Sequence, residues 1–126
     1  MSLRHREYLE GRRMMLYRGI SHRAEGRHPS SHLGIFASPN LRTAKAYAGS
    51  KGEVVALYMK IKNPYLMEYE EIQRIGSKSD AVRLRSKLKQ KGHDGILLKP
   101  IKGSGGMPNA YTEYIVFDKS QIERAD

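Results

Sequence analysis

The chain of 126 residues contains no cysteine and no tryptophan. Without thiols it has no disulfides, no thiolate metal sites and no cysteine nucleophile. Metal binding would then rest on His5, His22, His28, His32 and His93. Only His28 and His32 are four apart, and Pro29 between them argues against the helix that would bring both to one face. No metal site is expected. Aromatics are few, with eight Tyr against two Phe, and no known DNA- or RNA-binding motif is present, so no dedicated base-stacking platform is expected. There is also no apolar run of about 18 residues, and no apolar segment behind the basic N-terminal residues. The expectation is a cytoplasmic protein, or one delivered without a Sec-type signal, with no membrane partner. The length suits one small monomeric domain with a modest core.

Positive charge is what the chain has in excess: the net charge is +10 and the pI about 9.9. Residues 1–32 hold seven Arg against three acids, and residues 74–102 hold nine Lys or Arg against two. Residues 113–126 reverse the balance, two against four. Such a field favours polyanions, with nucleic acid the first candidate, although a merely soluble basic surface has the same composition.

Residues 1–13 form a basic arm or a short helix, and residues 14–126 the folded domain. Met14 to Arg18 reads as a first strand stopped by Gly19, and Ser21 to Ser31 as loop. Leu33 to Ala37 is a short strand, followed by a helix through Tyr47 that Asn40 can cap. Val54 to Ile61 alternates cleanly, with Val55, Leu57, Met59 and Ile61 on one face. Asn63-Pro64 ends it. Glu68 to Ile75 suits a short helix, and Ser79 to Lys91 a longer one, capped by Ser79 and ended by Gly92. Ala81, Leu84 and Leu88 are its apolar stripe, and the remainder is mostly basic. Asp94 to Leu98 and Glu113 to Phe117 are strands, and Lys102 to Asn109 is loop. Five strands and a few helices out of strict alternation give an α+β fold.

Glu113 stands where that loop meets the last strand, the setting in which a carboxylate is both held and able to face a cleft. Glu113-Tyr-Ile-Val-Phe-Asp-x-x-Gln-Ile122 resembles the catalytic strand of the ADP-ribosyltransferase superfamily, in particular poly(ADP-ribose) polymerases and small phage and bacterial transferases. Four other blocks agree in order. They are Leu16-Tyr17-Arg18-Gly19, Gly34-Ile35-Phe36-Ala37-Ser38 with Ala44-Lys45-Ala46-Tyr47, Glu53 to Pro64, and Gly92 to Leu97. The resemblance implies a split β-sheet around an NAD cleft. It also implies Glu113 as catalytic carboxylate, and Arg18, Gly19, Phe36, Ser38 and Tyr47 as NAD contacts. Arg18 would bind phosphate or ribose oxygens beside a glycine that lets ligand approach, Ser38 would offer a hydroxyl near the ribose, and Tyr47 would stack on nicotinamide.

The match is mixed. Arg18 replaces the histidine of the polymerase branch, and Gly-Ile-Phe-Ala is one residue shorter than that branch's block. Tyr111 stands where arginine-modifying toxins carry Glu, which makes arginine a poor acceptor. In so short a domain, transfer of one ADP-ribose is expected rather than chain elongation. The sequence therefore points to a mono-ADP-ribosyltransferase that consumes NAD and modifies a macromolecule, with DNA, RNA or a protein bound to them as the candidates. NAD glycohydrolysis, and a nucleic-acid-binding module without activity, are the alternatives.

Overall fold

Val55, Leu57, Met59 and Ile61 turn together into the interior, as their alternation expects. They lie on or just beyond β3 (Glu53–Met59), the longest strand among the described residues. The computed structural model describes residues 15–21, 28–100 and 111–125; the N-terminal arm, Met14 and the loop from Lys102 to Asn109 lie outside them. β3 is the centre of a three-stranded antiparallel sheet, between β1 (Met15–Ile20) and β7 (Ile122–Arg124). A second sheet has the order β2-β6-β5-β4, from β2 (Ile35–Ala37), β4 (Pro64–Met67), β5 (Gly95–Leu98) and β6 (Glu113–Val116). Its pairs are antiparallel except β4 with β5. The sheets meet at a bridge: Tyr17 N–H donates to the Ser38 carbonyl at 2.7 Å, and Ser38 N–H to the Tyr17 carbonyl at 2.8 Å. The fold is thus the expected α+β arrangement with a split sheet.

The four-stranded sheet is covered on both faces. Leu97, Tyr114 and Val116 join Leu16, Leu57 and Met59 in the core between the sheets. Ile96, Leu98 and Ile115 join Leu33, Ile72, Ala81 and Leu88 in a core under the helices. Burial on both sides explains why β5 and most of β6 read as unbroken apolar runs. The helices are α1 (Leu41–Ala48), α2 (Tyr69–Gln73) and α3 (Lys78–Gln90). Asn40 caps α1 as expected, its side chain accepting from Arg42 N–H at 2.9 Å. α3 starts earlier than expected. Ser77, not Ser79, is its cap, accepting from Asp80 N–H at 3.1 Å. Gly92 ends it with a φ of 91°, the left-handed conformation that suits glycine.

Three local expectations are corrected. Leu33 belongs to a 3₁₀ helix (Pro29–Leu33) rather than to a strand, because Pro29 presets the first turn and the His28 ring accepts Ser30 N–H at 3.1 Å. β1 runs through Gly19 to Ile20 instead of stopping there. Two strands were not anticipated, β4 and β7.

The Asp118-x-x-Gln121 motif has an architectural job. Asp118 accepts from Ser120 N–H at 3.0 Å, and Gln121 Oε1 accepts from Phe117 and Asp118 N–H at 3.2 and 3.0 Å. Gln121 Nε2 then donates to the carbonyls of Lys60 at 3.0 Å and Asp94 at 2.7 Å. The Asp94 carboxylate in turn accepts from Lys62 and Asn63 N–H at 2.7 and 2.8 Å. One amide therefore joins the ends of β3, β5 and β6. Gln121→Ala removes four hydrogen bonds at about 1 kcal/mol net each, so a loss of roughly 3–4 kcal/mol in urea unfolding is expected.

Candidate active site

Glu113 opens β6 and is only 7% exposed. A carboxylate so placed is costly to ionise, and burial pushes its pKa up to about 7. A hydrogen bond from the Tyr47 hydroxyl pulls in the other direction without cancelling the burial. The backbone before Glu113 is fixed from both sides. Thr112 N–H donates to the Leu98 carbonyl at 2.9 Å, and the Thr112 carbonyl accepts from the Ser38 hydroxyl at 2.8 Å.

Glu113 faces a cavity of about 520 Å³ where the two sheets meet. That is within the range of small-molecule sites, roughly 300–1,000 Å³. Arg18, Gly19, Phe36, Ser38 and Tyr47 all line it, so every site residue suggested by the sequence comes to one cleft. Their jobs differ from one another. Arg18 is half-buried on β1, and its Nη1 donates to the Phe36 carbonyl across the sheet junction at 2.9 Å. Phe36 supplies that carbonyl, while its side chain packs on the core under the helices.

Tyr47 has 57% of its surface exposed, yet its hydroxyl is directed at a buried carboxylate. Desolvation and the Glu113 charge raise the phenol's pKa well above its ordinary value, so it remains a proton donor at neutral pH. The open ring is free to meet a planar ligand group.

Gly19 and Ser38 line the cavity and also serve the fold. A Cβ on Gly19 would lie 2.0 Å from the Ala44 carbonyl oxygen of α1. The missing side chain therefore admits the helix. Ser38 is 2% exposed; its hydroxyl donates to Thr112 and accepts from Asn40 N–H at 3.0 Å. Its one proton is thus committed to holding the residue before Glu113. Ser38→Ala leaves a part-buried carbonyl and an amide without this partner, at a cost of about 1–2 kcal/mol. Activity should fall through kcat, with KM nearly unchanged, in steady-state kinetics of the folded variant.

Sequence reasoning missed one wall of the cleft. His28, Ser30 and Ser31 line it from the 3₁₀ helix, and His28 Nδ1 is 2.9 Å from Ser30 Oγ. The signal was slight: a polar residue before Pro29, where a cap belongs. Among the described residues no group of three or more His, Asp or Glu is placed to hold a metal ion, and no helix is long and apolar enough to cross a membrane.

A buried carboxylate with a pKa near neutrality, a guanidinium and an exposed phenol ring around one cleft suit cleavage at an anomeric carbon, where positive charge develops. The sequence profile of a family described as "ADP-Ribosyltransferase in polyvalent proteins" matches residues 10–126. The chain belongs to that family. The match spans the seven strands of the described residues of this ADP-ribosyltransferase domain and includes Glu113, Arg18 and Tyr47. A comparison with curated proteins finds no match.

Proposed function

We propose that this ADP-ribosyltransferase domain takes NAD as its substrate and transfers a single ADP-ribose to a macromolecule, with Glu113 as the catalytic carboxylate. The observation that carries the reading is Glu113 itself, a single buried carboxylate at the wall of a ligand-sized cleft. The bond between nicotinamide and the ribose C1′ breaks with its electron pair going to nicotinamide, which leaves neutral. Glu113 accepts a hydrogen bond from the ribose 2′-hydroxyl and offsets the positive charge that develops on the sugar. An acceptor hydroxyl or amine then bonds to C1′, and its proton passes to Glu113 or to water.

Arg18 suits the diphosphate or ribose oxygens as a planar donor, and the Tyr47 ring suits nicotinamide, which it can hold without adding charge. Tyr111 in place of a second glutamate supports an acceptor other than arginine. The +10 net charge supports an acceptor that is nucleic acid, or is bound to it. Glycohydrolysis is the same chemistry with water as acceptor.

The test is release of free nicotinamide from NAD, together with transfer of label from adenylate-labelled NAD to DNA, RNA and lysate proteins. Release that requires an acceptor, with label on that acceptor, supports transfer. Release in buffer alone supports hydrolysis. No release under any condition, with NAD leaving the melting temperature unchanged, would overturn the proposal.

A further inference from the structure

α3 carries more positive charge than the fold uses. Ala81 and Leu88 are buried and Leu84 half-buried against the core, and Arg85 donates to the His32 carbonyl at 3.3 Å. These contacts fasten the helix to the 3₁₀ segment Pro29–Leu33. Arg83 and Lys87 on the helix, with Lys91 at its C-cap, occupy a separate, exposed flank. They are spaced four apart and so stand one above another along about 12 Å of axis.

Like charges at that spacing destabilise a helix, so the row does not serve α3 itself. Lys87 and Lys91 gain something from the negative end of the helix dipole, but Arg83 is too far from it to do so. Nearby acids do not cancel the row. Asp80 is 3.9 Å from Arg83 in a solvent-exposed pair, an arrangement that contributes little. Asp94 is occupied by two backbone N–H groups, Glu68 by Lys99 and Glu71 by Tyr65. Asp118 has its pKa lowered chiefly by hydrogen bonds from Ser120, with the charge of Lys89 a lesser cause.

We propose that the Arg83–Lys87–Lys91 flank of α3 is a docking surface for nucleic acid, with the three cations neutralising successive backbone phosphates. The charge complementarity is direct: one strand presents a phosphate about every 3.4 Å of duplex axis, so a row of this length covers three or four. The helix that bears the row packs against a segment that lines the cleft. The 3₁₀ helix that carries α3 on one side gives Ser30 and Ser31 to the cleft wall on the other. This assignment of the acceptor side rests on the transferase reading of the cleft, but the binding itself does not.

The experiment measures fluorescence anisotropy of labelled single-stranded DNA, duplex DNA and RNA with the whole chain over a series of salt concentrations. Two variants are compared with wild type: R83Q/K87Q/K91Q, and a charge-matched control, K51Q/K60Q/K119Q. The flank variant is expected to lose at least about tenfold in affinity at 0.1 M salt, and the slope of log K against log salt to fall by about 3, one per lost phosphate contact. The control should stay close to wild type. Equal losses in both variants would overturn the proposal, as would a wild-type chain that binds none of the three. Competition by polyglutamate as effective as by DNA would also overturn it, in favour of an acidic protein partner. Nicotinamide release is measured on the same preparations. Flank-dependent binding without any release supports the docking surface and removes the transferase reading of the cleft, so the two fail separately.

Discussion

Glu113→Gln is expected to abolish nicotinamide release, by at least about a thousandfold in kcat/KM, while making the protein more stable. Both effects come from the burial of one carboxylate. Glutamine keeps the shape and can still accept from the Tyr47 hydroxyl, but it cannot offset positive charge on a ribose. The stability gain depends on pH, and its sign follows from the folded-state pKa of about 7 against an ordinary 4.5. The folded protein holds the proton more tightly than the unfolded chain does. Stability from the neutral acid is therefore complete below pH 4.5 and is lost as pH rises to about 7. Above that, wild type carries a desolvated charge that the amide variant lacks, worth on the order of 3 kcal/mol, or about 10 °C in melting temperature for a domain of this size. Near pH 4.5 the two proteins should melt together. Thermal melts at pH 4.5 and 8 make the comparison; equal melting temperatures at pH 8 would mean the carboxylate is not strained by burial. Activity of the wild type should run the opposite way, rising with pH through about 7 as Glu113 ionises.

The second large effect is expected for Gly19→Ala. Its new Cβ would fall 2.0 Å from the Ala44 carbonyl oxygen, 2.8 Å from Ala48 N and 2.9 Å from Tyr47 Cβ. Two of these are backbone atoms, so no side-chain rotation relieves the overlap, and α1 must move away from β1. Ala44 and Ala48, both buried, would lose part of their packing. Overpacking of this kind costs about 3 kcal/mol. The displaced helix also carries Tyr47 away from Glu113. Without the phenol's hydrogen bond the carboxylate pKa should climb further, which moves the rising limb of the pH–rate profile to higher pH. Urea unfolding and that profile test the two halves of the argument. A variant within about 0.5 kcal/mol of wild type would show that the helix is not seated on the glycine.

What the sequence made legible, and what it hid, follows from how locally each feature is encoded. β3 alternates because one of its faces packs on the core, and the Asn40 and Gly92 signals at the ends of α1 and α3 are local chemistry. Those readings were correct. β4 was hidden by Pro64, taken as the end of a strand. It begins one instead, on the sheet edge, where a missing N–H costs no ladder bond. β7 has one apolar residue in three, and only pairing to Leu57–Met59 makes it a strand. Ser77 was passed over for Ser79 because both precede the same apolar stripe.

At the site, order along the chain brought out Glu113, Arg18 and Tyr47, and the fold gathers them in one cleft. The residue types at Gly19 and Ser38 were equally visible, but their partners were not. That the glycine also admits a helix and the serine also binds a neighbouring carbonyl has no mark in the sequence. The His28–Ser30 wall has no periodicity and depends on where the 3₁₀ helix packs.

The Tyr17–Ser38 bridge decides how far this domain can be divided. Arg18 follows one residue of the bridge and belongs to the three-stranded sheet; Glu113 belongs to the other sheet, beside Ser38. The three-stranded sheet is itself assembled from both ends of the described chain, β1 and β7 around β3. A fragment that kept only one sheet would retain an arginine or a glutamate but no cleft between them. The cleft exists only in the whole domain, and a split version would have to rebuild that seam to bring the two residues together again.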